Sequence, residues 1–98
     1  SVTGATLMEL KWTSKALSDL ARLYDFLVLA SKPAAARTVQ SLTQAPVILL
    51  THPRMGEQLF QFEPREVRRI FAGEYEIRYE LTGQTIYVLR LWHTRENR

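Results

Sequence analysis

The sequence predicts an α+β domain in which a helical hairpin packs on one face of a mostly antiparallel sheet, with the element order βααβββ. Two consecutive segments in the first half of the chain repeat apolar residues at helical spacing, whereas the last third alternates apolar and polar residues as half-buried strands do. Short glycine-containing turns divide the last third, which predicts an antiparallel meander. Because neither layer can bury its apolar side alone, we expect the hairpin to cover one face of the sheet and to leave the other face open.

The first half of the domain is predicted to open with a strand at Glu9–Trp12, followed by a helix over Lys15–Ala30. Thr13 or Ser14 can cap this helix, since either hydroxyl can accept a hydrogen bond from an amide of the first turn. The apolar stripe of the helix is wide, so we expect it to touch more than one neighbour. The stripe consists of Leu17, Leu20, Tyr24, Leu27 and Val28, extended by Leu23 and Phe26.

A second helix is predicted to begin near Pro33, because a proline in the first helical turn sacrifices no hydrogen bond. Pro46 interrupts the same apolar repeat, and we expect the helix to bend there or to end and restart. The string His-Pro-Arg-Met-Gly at 52–56 ends the helical region, since a residue before proline is disfavoured in the α conformation. Residues Glu57–Pro64 are predicted to form a loop.

Three strands are predicted in the last third of the chain, with Gly73 and Gly83 in the turns between them. The middle strand alternates most cleanly. The last strand is nearly all apolar, as suits a strand with a neighbour on each side. The predicted strands cover 66–72, 75–81 and 85–92.

The alternation of side chains along a strand predicts which of them share the open face of the sheet. On this rule Arg90 shares a face with Ile86 and Val88, and Arg78 lies opposite the apolar residues of its strand. We expect the open face to carry Arg68, Arg78 and Arg90. A slip of one residue in register would invert each assignment.

Composition limits the possible classes of function. The chain has 98 residues, enough for one domain, which we predict to span 8–98; Ser1–Leu7 would be an expression remnant or a loose arm. It has no cysteine, and His52 and His93 are its only histidines, so we expect no metal site and no cofactor. The chain has no run of about 20 apolar residues, so we predict no membrane span. These features agree with a cytoplasmic protein.

Arginine dominates the basic residues of the chain. The net charge is +3, and every basic residue after Lys32 is an arginine. Guanidinium groups bind carboxylates or phosphates through paired hydrogen bonds. This pattern is typical either of a solvated basic surface with glutamate partners or of a surface for an acidic protein or nucleic acid.

The order of elements and several local strings resemble the RelE/ParE toxin superfamily. These strings are MELKWTSKA at 8–16, the hairpin closing in His-Pro-x-x-Gly at 52–56, RRIF at 68–71, YEIRYE at 75–80 and VLRLWHTRE at 88–96. The C-terminal string is most similar to plasmid-stabilisation toxins of the ParE type. The resemblance implies a growth-arresting toxin of a type II toxin–antitoxin system, neutralised by a small antitoxin encoded beside it.

The superfamily has two mechanisms, and fold alone does not choose between them. RelE-like members cut messenger RNA in the ribosome, whereas ParE-like members inhibit DNA gyrase and are not nucleases. RNA cleavage needs a base, an acid and cations against the phosphate. The residues that would supply these groups are Arg68, Arg78, Arg90 and His93, with Glu76 or Glu80 as the base.

This ribonuclease set is incomplete. Glu76 stands where similar ribonuclease members carry a catalytic arginine in the third strand, and no tyrosine follows Tyr87. The second half of the chain has no lysine, and Glu74, Glu76 and Glu80 on one strand would repel an RNA backbone. We therefore expect a gyrase inhibitor that is not an enzyme. Ribosome-dependent cleavage of mRNA is the alternative, and a non-toxic binding module is a third reading.

The other candidate residues concern binding. His93 would be the acid of the ribonuclease, or it would close the last strand through local hydrogen bonds. Trp92 would stack a base, or it would belong to the core or to an antitoxin contact. The antitoxin should be acidic, ParD- or RelB-like, with apolar side chains along the hairpin and carboxylates against arginines. The residues expected to face target or antitoxin are Arg68, Arg78, Arg90, Trp92, His93 and Arg95, with Arg98 in the tail.

Overall fold

The computed structural model of the chain describes residues 8–96, so the predicted leader at 1–7 and the tail residue Arg98 lie outside the described residues. One sheet contains the strands β1 (Glu9–Trp12), β2 (Glu57–Gln58), β3 (Glu66–Ala72), β4 (Tyr75–Thr82) and β5 (Thr85–His93). The helices are α1 (Ser14–Val28) and α2 (Lys32–Gln44), and two short 3₁₀ segments cover Ala45–Leu50 and Phe60–Phe62. Within residues 8–96, no helix has both the length and the apolar character that crossing a bilayer requires.

The strands are arranged in the spatial order β1-β5-β4-β3-β2. Strand β1 runs parallel to β5, and the other neighbours are antiparallel. The two helices pack against each other, and α1 lies against β5. The predicted α+β architecture and the order βααβββ are therefore confirmed. Strand β2 is an addition, because residues Glu57–Gln58 were predicted to lie in a loop.

Side-chain caps begin both helices, and the cap of α1 is the one that the sequence predicts. The Thr13 hydroxyl accepts a hydrogen bond from the Ala16 amide at 3.1 Å, and it also lies 2.9 Å from the carbonyl of Val88 on β5. Thr13 therefore caps α1 and ties its start to the sheet. Ser31 caps α2 through the Ala34 amide at 3.3 Å, and a proline occupies the first turn of that helix.

Pro46 separates α2 from the 3₁₀ segment that follows it. Helix α2 ends at Gln44, and the chain continues over Ala45–Leu50 with Pro46 in the first turn of the new segment. Of the two predicted outcomes, the helix ends and restarts. The reason is that proline has no amide hydrogen to continue an α-helix but fits a first turn.

The core lies between the hairpin and one face of the sheet. Helix α1 buries Ala16, Asp19 and Leu23, while Leu17, predicted to face the core, is 53% exposed. The buried face of α1 is thus rotated about the helix axis relative to the predicted face, which included Leu17. The remaining core comes from α2, the first 3₁₀ segment and the strands, and its largest members are Leu42, Leu49, Ile77, Tyr79, Ile86, Val88 and Leu91.

A bulge in β5 changes which of its residues face the helices. Arg78 pairs with Arg90, but its neighbour Tyr79 pairs with Val88, so Leu89 is an extra residue on β5. Side chains of directly opposed residues share a face. Val88 therefore faces the hairpin with Tyr79, while Arg90 faces the opposite side with Arg78. The prediction that Arg90 shares a face with Ile86 and Val88 is wrong, because a bulge inserts one residue into the alternation.

Candidate functional site

A row of arginines crosses the open face of the sheet. Arg69 on β3 is directly opposite Arg78 on β4, and Arg78 is directly opposite Arg90 on β5. On the other side Arg69 is opposite Glu57 on β2. We call Arg69, Arg78 and Arg90 the arginine row. Pairing across three neighbouring strands brings these guanidinium groups to one surface although 21 positions separate the first from the last in the sequence.

Aromatic rings flank the arginine row. The guanidinium carbon of Arg78 lies 4.6 Å from the centre of the Trp92 ring and 5.4 Å from that of Phe62. Arg90 lies 5.2 Å from the same Trp92 ring, and Arg69 lies 5.3 Å from the ring of Phe71. A planar guanidinium is attracted to the face of an aromatic ring, most strongly to tryptophan. Each guanidinium group of the row therefore packs on at least one aromatic ring.

Each arginine of the row also meets a carboxylate. Arg69 pairs with Glu57 at 2.9 Å, and Arg78 pairs at 3.1 Å with Glu76, whose side chain is only 2% exposed. Like charges directly opposite each other in a sheet repel. These carboxylates, together with Asp19 beside Arg90, offset that repulsion. The arginine row therefore has a balancing set of three acidic partners.

Asp19 ties the row to helix α1. Its buried carboxylate accepts two hydrogen bonds from Arg90, at 2.7 and 3.1 Å, one from the Leu91 amide at 3.0 Å and one from Arg22 at 3.2 Å. Burial alone raises the pKa of Asp19, but the hydrogen bonds from Arg90, Leu91 and Arg22 outweigh burial and hold that pKa below its ordinary value. Asp19 is therefore an ionised link between α1 and the end of β5.

Arg68 does not belong to the arginine row. It is directly opposite Tyr79, so it lies on the side of the sheet that faces the core, and its prediction as an open-face residue is wrong. Its guanidinium donates to the carbonyls of Gly56 at 2.8 Å and Arg54 at 3.2 Å, and to the Glu66 carboxylate at 2.9 Å. Through these hydrogen bonds Arg68 fastens the segment before β2 to strand β3. Arg69 takes the predicted place of Arg68 on the open face.

His93 also lies on the helical side, opposite Tyr75. The two rings meet edge to face with their centres 5.0 Å apart. The Nδ1 atom of His93 accepts the Arg95 amide at 3.1 Å, so in the neutral ring the proton is on Nε2, which faces Glu74 at 3.2 Å. Both ring nitrogens are thus engaged in local contacts at the end of β5.

The structure divides the residues proposed for RNA cleavage. Arg78 and Arg90 share the open face, whereas Arg68 and His93 lie on the opposite side. Trp92 joins the first pair, and Arg95 lies in the turn after β5. Within residues 8–96 no group of three or more histidine, aspartate or glutamate side chains is placed to hold a metal ion.

Two residues of this surface were not singled out by the sequence analysis. The prediction that Arg68 lies on the open face implied the opposite face for its neighbour Arg69, and nothing in the sequence distinguishes these two arginines. Asp19 had a signal, because it lies three residues after Ala16 and four before Leu23, which is the helical spacing of the buried stripe. A carboxylate inside an apolar stripe indicates a partner across the core.

A second surface lies on the helical side beside Tyr75 and His93. It is a groove of about 580 Å³ between α1 and the end of β5, and its lining is mostly apolar. We call it the Phe26 groove. Arg22 and Glu96 pair at its rim. It is lined by Arg22, Leu23, Phe26, Leu27, Tyr75, His93, Arg95 and Glu96.

Comparison with known proteins agrees with these features. The model of the family described as "ParE toxin of type II toxin-antitoxin system, parDE" matches residues 10–98. A solved structure described as "Chromosomal ParDE TA system from P. aeruginosa" is similar to the chain, with a TM-score of 0.77 and 27% sequence identity, over 91% of this chain and 98% of that chain. Among curated protein sequences none matches. Because the family model covers nearly the whole chain, this protein belongs to the ParE toxin family of type II toxin–antitoxin systems.

Proposed function

We propose that this toxin arrests growth by binding and inhibiting DNA gyrase, with the open face of the sheet as its target surface. Arg78, Arg90 and Trp92 form the centre of that surface. The toxin performs no covalent chemistry in this mechanism. A cognate acidic antitoxin, ParD-like, neutralises it by binding.

The observation that carries this proposal is the division of the ribonuclease candidates between two faces. Acid–base cleavage of RNA needs its base, acid and phosphate-binding cations within hydrogen-bonding reach of one scissile bond. Arg68 and His93 lie across the sheet from Arg78 and Arg90. Arg68 also has three close acceptors of its own. This separation supports a mechanism by binding over one by catalysis.

The charge balance of the open face supports a protein target. A surface that binds a nucleic-acid backbone gains its affinity from cations that neutralise phosphates. Here Glu57, Glu76 and Asp19 already pair with the arginine row. Arginine, tryptophan and phenylalanine are also the residue types enriched at protein interfaces. The open face therefore fits a protein better than it fits RNA.

Two observations support an antitoxin as partner and the Phe26 groove as its binding site: the likeness to a solved structure and the charged residues of the groove. The similar solved structure is described as a ParDE toxin–antitoxin system. The Phe26 groove carries Arg22, His93 and Arg95 beside apolar side chains, on the side of the sheet away from the arginine row. We assign this groove to the antitoxin. Target and antitoxin then bind different faces of the toxin.

Two assays in parallel test this function. The purified toxin is added to DNA gyrase in a supercoiling reaction and to ribosomes that carry a defined message. We expect supercoiling to be inhibited and the message to remain intact. Active gyrase together with a cleaved message would contradict the proposal and favour ribosome-dependent mRNA cleavage. Co-expression of the protein encoded by the neighbouring reading frame should restore growth.

A further inference from the structure

The Phe26 groove is built to bury an apolar side chain. Phe26 itself is 71% exposed at the groove although it is a large aromatic residue. Leu23, Leu27 and Tyr75 complete the apolar lining. A volume of about 580 Å³ is in the range of pockets that enclose a bound molecule. An exposed aromatic ring in a concave apolar site is typical of a binding anchor.

A guanidinium group is held in place at the rim of this groove. The Nη2 atom of Arg22 donates to the Asp19 carboxylate at 3.2 Å and to the Leu91 carbonyl at 3.3 Å. Its Nη1 atom points to the Glu96 carboxylate. Because the Nη2 contacts fix the guanidinium plane, little side-chain entropy remains to be lost when a carboxylate binds to the other edge.

The carboxylate now at that edge belongs to the chain itself. Glu96 follows the end of β5, where its amide donates to the His93 carbonyl at 2.9 Å and its carboxylate accepts the His93 amide at 2.9 Å. The turn that carries Glu96 is further held by a hydrogen bond of 2.8 Å from the Thr94 amide to the Glu74 carbonyl. The Arg22 guanidinium at the rim of the groove is therefore already paired with a carboxylate beside an apolar surface.

We propose that the Phe26 groove receives a segment of the antitoxin that presents an apolar side chain next to a carboxylate, and that Glu96 occupies the position of this carboxylate until the antitoxin binds. The antitoxin carboxylate displaces Glu96 from Arg22, while the apolar side chain packs on Phe26 and Tyr75. This inference rests on the proposed neutralisation by an acidic antitoxin. The inference adds to that proposal the chemistry of the bound segment and names Glu96 as an internal competitor for Arg22.

The balance of charge at the groove argues for an acidic segment. Arg22 and Arg95 line it, and among the lining residues within 8–96 the only carboxylate is that of Glu96. When Glu96 moves aside, the Nη1 edge of Arg22 loses its carboxylate partner, while the Nη2 edge stays on Asp19. Opposite charge across an interface speeds association and selects the partner. A nucleic-acid backbone would make no favourable contact with the apolar lining, whereas an apolar side chain of a protein segment would.

The experiment measures, by titration calorimetry, how tightly the separately purified product of the neighbouring reading frame binds to variants of the full toxin. Phe26→Ser removes the apolar anchor, and we expect the dissociation constant to rise by about tenfold or more. Glu96→Gln keeps the hydrogen bond from the His93 amide but removes the competing charge. It should tighten binding by about threefold, because a competitor for Arg22 is weakened.

Leu29→Ser is the matched control for Phe26→Ser, since Leu29 follows the same helix, is 84% exposed and does not line the groove. It should bind as the unaltered toxin does. Equal affinities for Phe26→Ser, Glu96→Gln and the unaltered toxin would overturn this inference while leaving the antitoxin assignment intact. No binding by the unaltered toxin would overturn the antitoxin assignment first, and this inference with it. Tighter binding by Glu96→Gln separates competition from a purely structural role, which would weaken binding.

Discussion

The hydroxyl of Tyr79 accepts a hydrogen bond from the backbone amide of Gly56 at 3.1 Å, although 23 positions separate the two residues. The same hydroxyl donates to the Pro53 carbonyl at 2.8 Å. Tyr79 is fully buried; its contact with Gly56 is buried and its contact with Pro53 is partly buried. This relationship explains the His-Pro-x-x-Gly string structurally: it forms the loop that receives the tyrosine and fastens the end of the helical layer to β4.

Tyr79→Phe should lower the free energy of unfolding by about 2 kcal/mol, because it removes the hydroxyl partner of the buried Gly56 amide and of the partly buried Pro53 carbonyl. The change is measured by urea unfolding followed by circular dichroism. Tyr87→Phe on β5, where the side chain is only half-buried, is the control and should change the free energy little. Equal effects of the two substitutions would show that the hydroxyl of Tyr79 contributes nothing specific.

Gly56→Ala tests the close approach at the same loop. A Cβ atom at this position would lie 2.6 Å from the backbone oxygen of Arg69 and 2.6 Å from the Tyr79 hydroxyl. Because the sheet backbone cannot move away freely, we expect a loss of about 2 kcal/mol or more in the free energy of unfolding. Gly83→Asn is the control. Gly83 has φ +59 and open space around it, and asparagine tolerates that conformation.

Asp19→Asn tests the link between α1 and β5 through its pH dependence. Burial alone raises the pKa of Asp19, but hydrogen bonds from Arg90, Leu91 and Arg22 bring it below the ordinary 3.8. A lowered folded-state pKa contributes stability that is present above 3.8 and is lost as the pH falls through the lower folded-state value. We expect Asp19→Asn to lower the free energy of unfolding by about 2 kcal/mol at pH 7 and by less at pH 3.

The measurement is thermal unfolding at a series of pH values, with Asp25→Asn as control. Asp25 is an exposed carboxylate on the same helix. Its substitution should leave the midpoint of thermal unfolding nearly unchanged. Two parallel curves for Asp19→Asn and the unaltered protein would contradict the expected ionisation of Asp19. Glu66 and Glu80 also have a lowered pKa, so some acid sensitivity remains in each variant.

Arg78→Lys tests the proposed target surface. The substitution keeps the charge but removes the planar group that lies between the rings of Trp92 and Phe62. We expect about tenfold more toxin to be needed for half-inhibition of gyrase supercoiling. Arg37→Lys on the exposed side of α2 is the matched control and should inhibit as before. Unchanged inhibition by a folded Arg78→Lys variant would place the target surface elsewhere.

Local signals predicted much of the fold. The strand over 66–72 has the predicted bounds, Thr13 caps the first helix, and Gly73 adopts the positive φ that its tight turn requires. Each of these features depends on residues that are close together in the chain. A cap needs one side chain and the next three amides, and a tight turn needs one residue that tolerates positive φ. Such features can therefore be predicted from the local sequence, without knowing which strands will be neighbours.

Strand β2 shows why other features were not predictable. Its two residues, Glu57 and Gln58, form a strand because Arg69 and Arg68 of β3 pair with them. Two residues cannot show a period, so the segment had no signal of its own. The pairing that creates the strand joins positions about ten residues apart, across a loop whose course the sequence does not specify.

The faces of the sheet show the same limit at the candidate site. In β3 both sets of alternating residues mix arginine with apolar side chains, so the pattern does not show whether Arg68 or Arg69 faces out. In β5 the apolar run continues through Leu89 and hides the bulge there. A single inserted residue moves every later side chain to the other face.

The sequence by itself determined the order βααβββ, the cap of the first helix, the glycine turns and the resemblance to the ParE toxins, because these depend on residue types at short spacing. Only the tertiary structure decided that Arg69 joins Arg78 and Arg90 in one row, and that Arg68 and His93 lie on the other side. The physical reason is that a strand exposes either of its faces with equal ease. The choice is made by the hydrogen-bonded register with its neighbours and by the helices that bury one side.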